Sequence, residues 1–302
     1  MPDLAARLCW RQHRVFADAG SLTGDIAVMA LMPVVNIAWL LIREGDGEEA
    51  HDMLRRLFRA AQRRETARIH DHEVDLSALT RTEQDHRKVR EELWVAVLVD
   101  GARALARIGR WSEAAEAMTM YRGVGNRLLD GRQILIMSLM ERGLDEQAHA
   151  VIESTTPAEP WENAVAALLH LCCRPQASPA PQSELERALR AVLTLSTPPD
   201  PATAAFQARI GLAALDLTRD RTSHSADPLW EALVDVAMLD AYAAREVLNH
   251  PPSHARMTSA QRQKLDAVLA ASGLGAGTLS TAHRQALADA VNTAEDTLRR
   301  LL

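Results

Sequence analysis

Apolar residues return every three or four positions along almost the whole chain, and the interruptions carry residues that start or stop helices. Thr80-Arg81-Thr82-Glu83, Ser183-Glu184-Leu185-Glu186 and Thr258-Ser259-Ala260-Gln261 have the spacing of a capping box, in which a hydroxyl and a later polar side chain satisfy each other's orphan amides. Asp200-Pro201 and Asp227-Pro228 place a capping carboxylate before a proline whose missing N–H costs nothing in a first helical turn, and Pro160 fits the same role. The pattern predicts about a dozen helices, near 4–19, 22–44, 48–64, 82–108, 112–125, 128–142, 145–154, 160–173, 182–196, 200–217, 227–248, 258–272 and 279–301. Arg63 to Leu79, charged and rich in His and Asp, and Arg174 to Pro181, with three prolines, read as loops. The expectation is an all-α chain of antiparallel helix hairpins, one domain over 1–302, with a less regular helical part over 198–302.

Composition agrees, because the chain is 47% hydrophobic but only 4% aromatic, and alanine and leucine, neither of them β-branched, dominate its apolar content. With 302 residues there is ample length for a core. A net charge of −6 offers no general attraction to nucleic acid or anionic lipid, so neither a direct nucleic-acid partner nor a membrane is expected. Three cysteines, Cys9, Cys172 and Cys173, cannot build a secreted disulfide framework, and the N-terminal MPDLAARLCWRQHR lacks a basic region ahead of an apolar stretch; both point to the cytoplasm. The uncharged run from Ile26 to Ile42 falls short of the roughly 20 residues a bilayer requires, contains Pro33 and Asn36, and is expected to be a buried helix.

A repeat emerges when turn glycines are aligned. ALARIGRWSEAAEAM around Gly109 and SLMERGLDEQAHAVI around Gly143 lie 34 residues apart, and WLLIREGDGEEAHDML repeats the motif around Gly45. In each copy an alanine stands five residues after the glycine: Ala50, Ala114 and Ala148. A glycine can end one helix in a left-handed turn, and a small residue lets the next helix approach closely. Ala38 and Ala102 precede their glycines by seven residues, Trp111 comes two residues after Gly109, and Pro160 closes the third unit.

These features resemble the tetratricopeptide repeat (TPR), a 34-residue helix–turn–helix unit, over about residues 34–160. Ile136 departs from the small residue usual there, Gly45 and Gly109 are 64 rather than 68 residues apart, and beyond Trp161 only Ala188 continues the pattern. The resemblance implies hairpins stacked as a right-handed superhelix, an α-solenoid, with the first helix of each unit lining a concave groove. It assigns to that groove Val35, Asn36, Trp39 and Arg43, then Val99, Arg103 and Arg107, then Gln133, Met137 and Met140. Asn36 has two readings, a ligand contact or a buried amide satisfied by a neighbouring helix. Arg103 and Arg107, four apart on one face, suit carboxylate recognition or a solvated face, and the lysines of the family's carboxylate clamp are missing.

Candidate chemistry is sparse. His70-Asp71-His72-Glu73-Val74-Asp75, with Asp85-His86 nearby, contains metal-ligating residue types but lacks a second ligand set at recognised spacing, and reads as a solvated connection. Cys172-Cys173, ending an apolar helix, read as small buried hydrophobes, and Gly123-Val124-Gly125 lacks the third glycine of a dinucleotide loop. Of the six tryptophans only Trp39 is a groove candidate. The expectation is a non-catalytic protein- or peptide-binding adaptor or regulatory partner, an accessory subunit of a bacterial peptide-modifying or regulatory system, without cofactor or metal and with self-association open. Two alternatives remain at this point: a helical enzyme or metal-binding protein using His70–Asp75, and the ligand-sensing module of a transcriptional regulator.

Overall fold

The computed structural model describes residues 2–174, 180–218 and 223–302. In chain order the elements are α1 (Pro2–Asp18), α2 (Gly24–Glu44), α3 (Gly47–Arg63), the strands β1 (Thr66–Ile69) and β2 (His72–Asp75), α4 (Glu83–Ala96), a π-helical segment (Val97–Gly101), α5 (Ala102–Arg107), α6 (Trp111–Met120) and α7 (Asp130–Glu141). They continue with α8 (Asp145–Glu153), α9 (Pro160–Cys172), α10 (Gln182–Leu195), α11 (Ala204–Leu217), α12 (Ser223–Ala237), α13 (Ala241–Asn249), a 3₁₀ turn (Pro251–Ala255), α14 (Ser259–Ser272) and α15 (Thr281–Leu301). The chain is helical, as its apolar period predicts, with one small hairpin of strands among the described residues.

Contacts divide it into two compact units. The first holds 1–125, 130–141 and 278–302, the second 126–129 and 142–277. In the first, α3 packs against α2, α4, the π segment and α5, α2 and α4 also pack on each other, and α6 lies against α5 and α7. Its core joins Phe16, Leu31, Val34, Met53, Leu57, Ile69 and Val89. The amphipathic α15 returns to α1, where Arg11 bonds Asn292 at 2.7 Å and pairs with Glu295. In the second unit α9 to α14 enclose Leu168, Leu189, Val192, Leu212, Leu229, Leu233 and Val247.

The three repeat glycines adopt the left-handed backbone expected of them, with φ of 92° at Gly45, 79° at Gly109 and 69° at Gly143. Ala50, Ala114 and Ala148 are fully buried. Pro160 occupies the first turn of α9, and Thr258 and Gln261 form their capping box.

Several boundaries are corrected. The stretch expected as a loop from Arg63 to Leu79 contains the β1–β2 hairpin, paired antiparallel from Thr66↔Asp75 to Ile69↔His72. Ala67, Ile69 and Val74 turn inward while their charged neighbours stay outside, and His70 makes the turn at φ 50°. Thr82, not Thr80, caps α4, accepting from the Asp85 amide at 3.1 Å. The single helix expected over 82–108 is interrupted by the π segment, and the one expected over 227–248 is two, because Asp240 caps a new start through the Ala243 amide. α12 begins before Asp227, leaving Pro228 inside it. Ser183 lies within α10, which starts at Gln182, and Asp200 caps a turn through Ala202 and Thr203 before α11 begins. Much of the proline-rich loop expected over 174–181 lies outside the described residues.

α2 is the one described helix long and apolar enough to cross a membrane, and half of its most apolar stretch is buried inside the protein.

Candidate functional site

The first unit carries a cleft of about 160 Å³ between α2 and α4. Val28, Leu31, Met32 and Val35 supply one wall; their i, i+3, i+4, i+7 spacing puts them on a single face of α2. Leu93, Val95, Ala96, Glu92 and Asp100 supply the other. Met32 and Val95 are 47% and 42% exposed and form the open rim, while Leu31, Val35, Leu93 and Ala96 are buried beneath them as its floor. The charged residues lining it are both acidic.

Asp100 reaches the cleft from the π segment. A π turn inserts one residue into the helical ladder and rotates the turns after it, which is why such segments re-aim side chains. Here His51 on α3 stabilises the irregular turn: its Nδ1 donates to the Gly101 carbonyl at 3.1 Å. Burial lowers the His51 pKa, consistent with a neutral ring in that role. The approach at Gly101 is close: an added Cβ would sit 3.0 Å from His51 Nδ1, so a larger residue there would push on the ring that holds the turn.

Beside the cleft, the Trp39 indole lies near the Asp100 carboxylate, on which it acts to favour the charged form. Burial pushes the Asp100 pKa up, while the Arg103 charge and the neighbouring Trp39 indole offset part of the rise. Arg103 pairs with Asp130 on α7 at 2.6 Å. The Arg103–Asp130 pair thus ties α5 to α7, with Asp100 on the π segment close enough to feel the Arg103 charge.

Of the sequence candidates, Val35 is buried in the cleft wall, and Trp39 and Arg103 both lie near Asp100. Val99 is half-buried within the π segment. Arg43 and Arg107 are exposed near the ends of α2 and α5. Gln133, Met137 and Met140 are half-buried on α7. Asn36 is exposed, which corrects the reading of it as a buried amide: it comes after Val35 and faces away from the core of α2. Asp100, Asp130 and Glu92 escaped the sequence reading; only the placement of Asp100 four residues before an inward alanine, Ala104, hinted at a shared face.

The His70–Asp75 residues do not gather around a point. The His72 ring stacks on Trp10 with centroids 4.0 Å apart, and His70 Nε2 lies 3.6 Å from Glu49. Buried His86 is a fold element, its Nε2 facing the Ala61 carbonyl at 2.7 Å. Cys173 is buried as expected, but Cys172 is exposed, correcting the pairwise reading: successive helical positions point about 100° apart.

Comparison of the chain with known protein families, with curated proteins and with solved structures yields no match.

Proposed function

We propose that this protein is a non-catalytic adaptor that takes an apolar, positively charged segment of a protein or peptide partner into the α2–α4 cleft. The observation that carries the reading is a cleft floored by buried Leu31 and Val35, rimmed by exposed Met32 and Val95, and lined by two carboxylates, Glu92 and Asp100, with no basic lining residue. Apolar side chains entering the cleft would supply affinity, and a lysine or arginine beside them would be recognised by Asp100 in a partly desolvated setting, where charge pairing discriminates strongly. Arg103 does not oppose such a ligand, because Asp130 neutralises it at 2.6 Å. The helix alternation in the first unit, the left-handed glycines and the buried alanines support a TPR-like organisation, for which ligand binding on the first-helix face is the expected mode. A cytoplasmic accessory subunit acting on a peptide-processing or regulatory partner is the biological role that fits this reading.

The test is fluorescence anisotropy with labelled amphipathic peptides of matched apolar content and opposite charge. Saturable binding of the cationic peptide, weakened by Met32→Asp and Val95→Asp at exposed cleft positions, is the expected result. Equal binding of both peptides, or indifference to both substitutions, overturns the assignment.

A further inference from the structure

The second unit contains a separate cleft, of about 340 Å³, lined by His149 and Glu153 on α8, His170 on α9, Glu184 and Arg187 on α10, and Arg174. Its central feature is a pair of facing imidazoles. The Nδ1 atoms of His149 and His170 stand 3.1 Å apart, with ring centroids at 5.3 Å. Two nitrogens at this distance cannot both present lone pairs without repulsion, so one Nδ1 carries a proton that the other accepts.

A metal ion can replace that proton. Two nitrogens bound to one tetrahedral zinc at ~2.0–2.1 Å are about 3.3 Å apart, close to the spacing already present. Glu153 stands four residues after His149 on α8 and so shares its face, the i, i+4 relation by which a helix presents two ligands to one ion. Glu184 is engaged differently, accepting both bonds from Arg174 Nη2 at 2.8 and 2.7 Å, which leaves Glu153 as the carboxylate available from the wall that bears His149.

We propose that His149, His170 and Glu153 form a binding site for a divalent transition metal of the zinc class, completed by water. Among the described residues no three ligating side chains already converge. The two imidazoles are preset, and the carboxylate, on an exposed side chain, closes on the ion by rotation about its own bonds. Imidazole and carboxylate donors select zinc, cobalt or nickel over calcium and magnesium, which prefer oxygen alone. Metal binding would tie α8 to α9, and it is independent of the α2–α4 cleft.

The experiment is calorimetric titration of Zn²⁺ into the metal-stripped full chain, repeated with Co²⁺ and monitored by visible absorption. One equivalent should bind, with His149→Ala and His170→Ala each lowering affinity at least tenfold and Glu153→Gln lowering it severalfold. In the unmutated chain, NMR of the imidazole nitrogens should show the Nδ1 signals of two histidines moving with the first equivalent, a readout that does not depend on any variant folding. Absence of saturable binding, affinity unchanged in both folded histidine variants, or perturbation of other histidines overturns the site. Affinity unchanged in folded Glu153→Gln overturns the three-donor assignment.

Discussion

The Glu162 carboxylate, wholly buried at the start of α9, receives the Arg127 guanidinium through Nη2 at 2.5 Å and Nε at 3.1 Å. It also accepts the backbone amides of Leu128 at 3.0 Å, Ala158 at 3.2 Å and Glu159 at 3.1 Å. One side chain thus fastens the 126–129 segment to α9 and caps the helix at whose first turn Pro160 stands. The donors hold its pKa down to about 2, with the Arg127 bond the largest cause.

This carboxylate gives stability a pH dependence of definite sign. A carboxyl whose pKa is depressed on folding stabilises the protein above its unfolded value, near 4.5, and that contribution is lost as pH falls toward about 2. Glu162→Gln should lower the thermal midpoint by several degrees at neutral pH, because the amide turns an N–H toward donors that need an acceptor. The gap between wild type and variant should close as pH is lowered through that window in calorimetric scans. A gap independent of pH would contradict the assignment.

Close backbone approach sets a second expectation. A Cβ on Gly47 would stand 2.2 Å from the Ala104 carbonyl oxygen and 2.9 Å from its carbon, so α3 can meet α5 only through glycine. At Gly109 an added Cβ meets nothing within 4 Å, and only the left-handed φ of 79° opposes it. Gly47→Ala should destabilise by ~1–3 kcal/mol through overpacking, and Gly109→Ala by ~1–2 kcal/mol through backbone strain alone. Urea denaturation of both variants, with Gly47→Ala unfolding first, checks the order.

The difference between these glycines bears on what the sequence could disclose. Gly45, Gly109 and Gly143 were legible because a left-handed helix end calls for a particular residue at a particular place. Gly47 was not, because its role depends on a carbonyl 57 positions away. The β-hairpin was hidden by four-residue strands joined through His70-Asp71 without glycine, and the break between α12 and α13 by the absence of any glycine or proline from Ala237 to Asp240. In the cleft, Val28, Leu31, Met32 and Val35 sit in an almost wholly apolar run, so periodicity could not separate the cleft face from the rest of the core. The π segment left no mark on the apolar period, and with it went Asp100.

Asp100 should trade stability against recognition. Burial raises its pKa, so the folded state holds its proton more firmly than the unfolded state, and stability declines as pH rises past the ordinary carboxylate range. Asp100→Asn keeps the size and shape of the side chain while removing the half-buried charge. The variant should therefore match or exceed wild type in thermal midpoint at neutral pH, yet bind a cationic peptide more weakly. A loss of both stability and binding would show that the charge serves the fold.

The Arg103–Asp130 pair decides the sign of the ligand. With Arg103 48% and Asp130 34% exposed at the side chain, the pair is worth less than ~1 kcal/mol to stability, so either partner can be changed without unfolding the chain. If the cleft takes a cationic segment, Arg103→Ala releases the Asp130 carboxylate and strengthens binding, while Asp130→Asn leaves Arg103 uncompensated and weakens it. If instead Arg103 and Arg107 recognise a carboxylate, the two substitutions act in the opposite sense, because Asp130 then competes with the ligand for Arg103. Anisotropy titrations of both variants at low and high salt distinguish the cases. Opposed changes that shrink as salt rises are expected of a direct charge contact, and the cationic reading requires that Arg103→Ala be the tighter binder.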